Sequence, residues 1–95
     1  MNDAPAMSVI VLDPRDNVAV AIRDLAPGET ISAGESRLVV THSIPFGHKI
    51  AVMAIAADED VYKYGEPIGH ATAEILKGDH VHTHNLVGNR LGVTL

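Results

Sequence analysis

Three histidines, His80, His82 and His84, stand at alternate positions within five residues, with Asn85 directly behind them. They are half of the six histidines in the chain. Neutral imidazoles bind divalent metals, protonated ones hold anions, and the group moves protons near neutral pH, so the stretch points to one of those chemistries. On a strand, side chains at i, i+2 and i+4 share a face. His82 and His84 would then lie about 7 Å apart at Cβ, close enough to converge on one ion, whereas His80 and His84 would be about 13 Å apart on a flat strand. The expectation is a chelating pair at His82 and His84, with a third ligand only if the strand bulges.

Two further groups carry chemistry. His48 and Lys49 follow Gly47, a residue that lets backbone approach a ligand closely; the lysine suits an anionic group and the imidazole suits proton transfer. Lys63-Tyr64-Gly65-Glu66 gathers a cation, a phenol and a carboxylate. On a strand Lys63 and Tyr64 face opposite ways, so one of the two can line a given pocket. His42 and His70 stand alone and read as structural or surface residues, and Asp58, Glu59 and Asp60 read as a solvated turn. No nucleophile motif, phosphate loop or coenzyme fingerprint is present.

The elements that position these residues are short. Runs rich in Val and Ile, such as Asn17 to Ile22, Arg37 to Thr41, Lys49 to Ile55 and His80 to His84, alternate with glycine-marked turns, which predicts a mainly β chain. Ala71 to Lys77, closed by Gly78, reads as the one helical turn. A turn phrase recurs at Asp24 to Ile31, Ala54 to Val61 and Glu74 to Val81: a branched apolar residue, two linkers, Gly or Asp, an acid, a free position and a second branched apolar residue. The glycine or aspartate tolerates a left-handed reversal and the apolar residues bury on either side of it. Residues 1–8 read as a flexible tail and 9–95 as one domain, with 88–95 as a last strand or an arm for a partner.

Ninety-five residues give one small domain with little material for a deep cleft, which favours a module that completes its site with another chain. A formal net charge of −5, scattered Lys and Arg and three aromatic residues argue against nucleic acid. The chain has no cysteine, no signal-peptide pattern and no apolar run of membrane length, so a cytoplasmic protein without a membrane partner is expected.

In order along the chain, Asp16 to Ala21, Asp24 to Glu29, Gly47 to Val52, Ile55 to Glu59, Lys63 to Ala71 and Gly78 to Asn85 resemble the N-terminal module of the altronate and galactarate dehydratase family. The resemblance implies an SAF-type domain with the β-clip fold. It also implies the split form of the family, in which a small subunit completes the active site of a large catalytic lyase subunit in a hetero-oligomer acting on a sugar acid. The similar small subunit of sulfolactate sulfo-lyase, and a non-catalytic SAF-type ligand-binding module, are the alternatives. Family chemistry implies a divalent metal, Fe2+ or Mn2+, assisting proton abstraction beside a carboxylate and β-elimination. His48, Lys49, Lys63 and Tyr64 are then the candidate catalytic residues, with His82 and His84 as metal ligands. His80 falls where the family motif has an acid or polar residue, which shifts the weight to the other two.

Overall fold

A computed structural model describes residues 7–88. Nine short strands form, in order, β1 (Val9–Ile10), β2 (Val18–Ala21), β3 (Thr30–Ala33), β4 (Ser36–Val39), β5 (Lys49–Ala51), β6 (Asp60–Lys63), β7 (Glu66–Ala71), β8 (His80–Val81) and β9 (Leu86–Gly88). All pairings are antiparallel: a sheet in the order β1-β2-β5-β8, the hairpin β3-β4, and a sheet in the order β6-β7-β9. The mainly β expectation holds. No helix occurs among the described residues, so none is long and apolar enough to cross a membrane. The helical turn expected at Ala71 to Lys77 is instead the end of β7 followed by a bend, with Ile75 in an isolated bridge to Ile55.

β2 and β5 run between two cores. Ala19, Ala21 and Ile50 pack with Leu25, Ile31, Leu38 and Ile44 on one side. Val18 and Ala51 pack with Ile55, Val61, Ile75 and Val81 on the other. Strands buried on both faces read as continuous apolar runs, which is why Val18-Ala19-Val20-Ala21 shows no polar alternation.

The turn phrase organises both cores, and it occurs four times. The fourth copy, Ser43 to Ile50, was not evident from the sequence. In each copy a residue with positive φ (Gly28, Gly47, Asp58 and Gly78) donates its N–H to a distant carbonyl, that of Val40, Ala21, Ala71 and Ala51 respectively. The next residue accepts the return bond from the same partner. The copies meet in pairs through the bridges Leu25–Ile44 and Ile55–Ile75. Gly78 is the tightest of these turns: its φ is +94°, and a Cβ there would collide with the Val39 carbonyl oxygen.

The first six residues of the proposed tail at 1–8 lie outside the described residues; Ser8 is buried and its carbonyl accepts the Ile22 N–H at 3.0 Å. The proposed last strand at 88–95 likewise lies outside them, apart from Gly88 in β9.

Candidate metal centre

The strand expected over His80 to His84 ends at Val81. Beyond it the chain turns, because Asn85 Oδ1 accepts the His82 N–H at 2.9 Å while Asn85 Nδ2 donates to the His80 carbonyl at 2.9 Å. The Asn85 N–H also donates to the His82 carbonyl at 3.1 Å. One side chain thus ties both ends of the turn, as short amides do where they compete with ladder bonding. The side chains of 80, 82 and 84 are therefore not spaced as on a flat strand.

The turn brings His80 and His82 against His48, which arrives from the separate turn before β5. One ring nitrogen from each of the three lies within 4.8 Å of the others. The His48 and His82 rings stack at 4.1 Å between centroids, and His48 Nδ1 and His80 Nε2 share a hydrogen bond of 2.9 Å. His84 stands beside this group, its ring tilted at 5.2 Å from that of His80.

Why His48 is free to join follows from the turn phrase. In the other three copies the corresponding residue is an acid that caps a backbone N–H three positions back: Glu29 on Ala26 at 2.7 Å, Glu59 on Ala56 at 2.7 Å and Asp79 on Leu76 at 2.9 Å. In the fourth copy that position is Pro45, which has no N–H to cap. The acid has no local duty there, and an imidazole takes its place.

The electrostatics favour the neutral form of His80 and His82. Desolvation, then the neighbouring His48, His84 and His82, pushes His80 down to about 4. Desolvation, then His48, Lys49 and His84, lowers His82. Neutral imidazole is the ligand form. His82 Nδ1 is buried with no hydrogen-bond partner among the described residues. An orphaned buried nitrogen is costly unless something binds it, and three converging nitrogens with one orphan fit a divalent ion such as Zn2+, Mn2+ or Fe2+.

Lys49 is 2 % exposed, and among the described residues it has no acid within ion-pair distance. Pairing of Lys49 with Val81, and of Ile50 with His80, puts the Lys49 stem on the opposite sheet face from His80. Its charge nonetheless opposes protonation of His82. Burial, then the charge of Lys63, lowers the Lys49 ammonium to about 8. Lys63 is half-buried at the end of β6 and likewise has no acid within ion-pair distance among the described residues. Tyr64 is not a strand residue: with φ of 59°, followed by Gly65 at 73°, it heads the two-residue β6–β7 hairpin turn, where both positions need left-handed backbone. Its ring is 64 % exposed beneath the Lys63 ammonium, 5.7 Å away, with no ring contact to the histidines among the described residues.

The sequence reading also passed over Asp16, a buried carboxylate that accepts the N–H groups of Tyr64 at 2.9 Å and Gly65 at 2.7 Å. Asn17 continues that clamp, accepting from the Tyr62 N–H and donating to the Asp60 carbonyl. Together they fix the hairpin that carries Lys63.

Comparison with known proteins agrees with this architecture. Residues 7–89 match the model of the altronate/galactarate dehydratase SAF domain. Altronate dehydratase of Bacillus subtilis is 40 % identical over 88 residues, covering 93 % of this chain and 18 % of the relative, and that of Escherichia coli is 44 % identical over 79 residues, covering 83 % and 16 %. The (2R)-sulfolactate sulfo-lyase subunit alpha of Paracoccus pantotrophus is 43 % identical over 56 residues, covering 59 % of this chain and 84 % of the relative. The chain thus spans less than a fifth of the dehydratases it matches. It belongs to the altronate/galactarate dehydratase SAF domain family.

Proposed function

We propose that this chain is the SAF-type small subunit of a hydro-lyase acting on a sugar acid, and that it forms one wall of an active site completed by a large catalytic subunit. The observation that carries the reading is the cluster of His48, His80 and His82, with its orphaned nitrogen, together with Lys49, whose charge acts on His82, and Lys63, whose charge acts on Lys49, both without an acidic partner among the described residues. Family membership supports the lyase association, and the short sulfo-lyase alpha subunit supports a separate small chain.

Dehydration of a 2,3-dihydroxy acid removes the proton beside the carboxylate and expels the hydroxyl on the next carbon. A divalent ion, Fe2+ or Mn2+, would supply Lewis acidity toward the carboxylate and hydroxyl oxygens. His48, His80 and His82 would hold it through one nitrogen each. Burial and then the charge of Lys63 weaken the preference of Lys49 for its charged form, and an acidic ligand set against the two lysines relieves that repulsion. They are the residues to bind and orient the carboxylate. His84 stands exposed beside His80, and Tyr64 heads the hairpin turn that follows Lys63.

The test is to purify the chain with and without a large lyase chain encoded beside its gene, then assay loss of water from altronate and galactarate. Neither chain should act alone, mixing should restore turnover, and His82→Ala should lower it by about a hundredfold or more. A second arm assays sulfite release from (2R)-sulfolactate, the reading that the match to 84 % of the Paracoccus alpha subunit favours. A chain that never associates with a large partner and keeps a ligand-binding activity after His82→Ala would instead be a non-catalytic binding module.

A further inference from the structure

A second polar pocket adjoins the histidine cluster. It encloses about 460 Å³, and His42, Glu74, Asp79, His80, His84 and Asn85 supply its polar lining. The volume lies within the range of small-molecule sites. His80 is the one residue of the three-imidazole cluster that lines it.

Several of these groups are already committed. Asp79 accepts from the Leu76 N–H and, at 2.7 Å, from the Thr41 hydroxyl; Asn85 is bound at both ends by the histidine turn. Thr41 has one hydroxyl proton, and giving it to Asp79 obliges His42 Nδ1, 2.9 Å away, to donate to the Thr41 oxygen. That tautomer leaves His42 Nε2 as a free acceptor. Glu74 and His84 make no hydrogen bond among the described residues and complete a set of free polar groups facing one space. Two carboxylates and no lysine or arginine line it, so it disfavours a second anionic group and suits hydroxyls, which donate to Glu74 and His42 Nε2 and accept from His84.

We propose that this pocket is a polyol subsite: it takes the hydroxylated tail of a sugar acid whose carboxylate head lies toward Lys49 and the histidine cluster, with Glu74, His42 and His84 setting the preference for a long substrate over a three-carbon one. The inference rests on the proposed sugar-acid function. It separates the two lyase readings, because altronate has a tail to place there whereas sulfolactate ends at its third carbon.

The experiment follows backbone amide shifts of the labelled full chain, with Zn2+ and the large lyase chain present, as altronate or glycerate is added; glycerate keeps the 2,3-dihydroxy acid head and lacks the tail. Both acids should move Lys49 and His82, and altronate alone should also move Glu74 and His84. Glu74→Ala and His84→Ala should each weaken altronate by about tenfold and leave glycerate within about twofold. If altronate moves Lys49 and His82 but not Glu74 and His84, or if the substitutions weaken both acids equally, the subsite is overturned and the sugar-acid function stands. If neither acid moves any of these residues, both fail.

Discussion

At the scale of single residues, His82 sets stability against binding. Its Nδ1 is buried without a partner among the described residues, and an unsatisfied buried polar atom costs about 1–3 kcal/mol. Its ring also stacks on His48. Replacing it by another flat ring keeps most of the stacking and removes the orphan, so His82→Phe should stabilise the metal-free chain by about 1 kcal/mol while weakening Zn2+ binding at least about a hundredfold. Denaturant unfolding under chelator and a Zn2+ titration measure the two halves of that statement. A Phe variant less stable than the parent under chelator would mean that Nδ1 has a partner the geometry does not show. Gly78 is the converse case, a residue whose absent side chain matters. Its positive φ and the Val39 carbonyl against its Cα lead to a loss of about 2–3 kcal/mol in Gly78→Ala, read as a lower denaturant midpoint with an unchanged slope.

At the scale of elements, the turn phrase explains both what the sequence made legible and what it concealed. Three copies could be read because an acid follows Gly or Asp at a fixed offset and caps the N–H three residues back. The fourth was hidden because Pro45 and His48 occupy the capped and capping positions. The histidine stretch misled for a different reason: its period of two imitates a strand, whereas the Asn85 side chain turns the backbone after Val81. Ala71 to Lys77 resembled a helical turn ending at Gly78, although that glycine belongs to the same phrase as Gly28. Capping can be tested by a double-mutant cycle. Pro45→Ala exposes an N–H, and His48→Glu supplies its acceptor, so the two substitutions together should be about 1 kcal/mol more stable than the sum of each alone. Additive effects would show that the fourth turn does not share the capping geometry. The first copy carries a pH signature. Its Glu29 is held at about 2, chiefly by the Arg23 side chain and then by the Ala26 N–H. A carboxyl lowered on folding adds stability above its unfolded value near 4.5 and loses it as pH falls toward 2. Glu29→Gln should therefore be less stable than the parent at pH 6, with the difference shrinking across that window; a difference constant with pH would remove the ion pair from the account.

At the scale of the whole molecule, the histidine cluster sits where the two halves of the fold join. His48 ends a turn whose Ile44 is buried in the first core, and His80 and His82 follow a turn whose Ile75 is buried in the second. β5 and β8, which carry these turns into the central sheet, pair with each other. An ion held by all three imidazoles would therefore tie both cores together, and its binding free energy would appear as global stability. At about a hundred times the dissociation constant the gain is about 2.7 kcal/mol, which for a domain of this size raises the melting temperature by about 10–20 °C. Amide exchange supplies the sharper measurement. Zn2+ should slow exchange at Ile31 in the first core as well as at Val61 in the second, EDTA should reverse both, and the His82→Phe chain should show neither. Protection confined to residues 80–85 would mean that the ion is held by the histidine turn alone, with His48 and the first core taking no part.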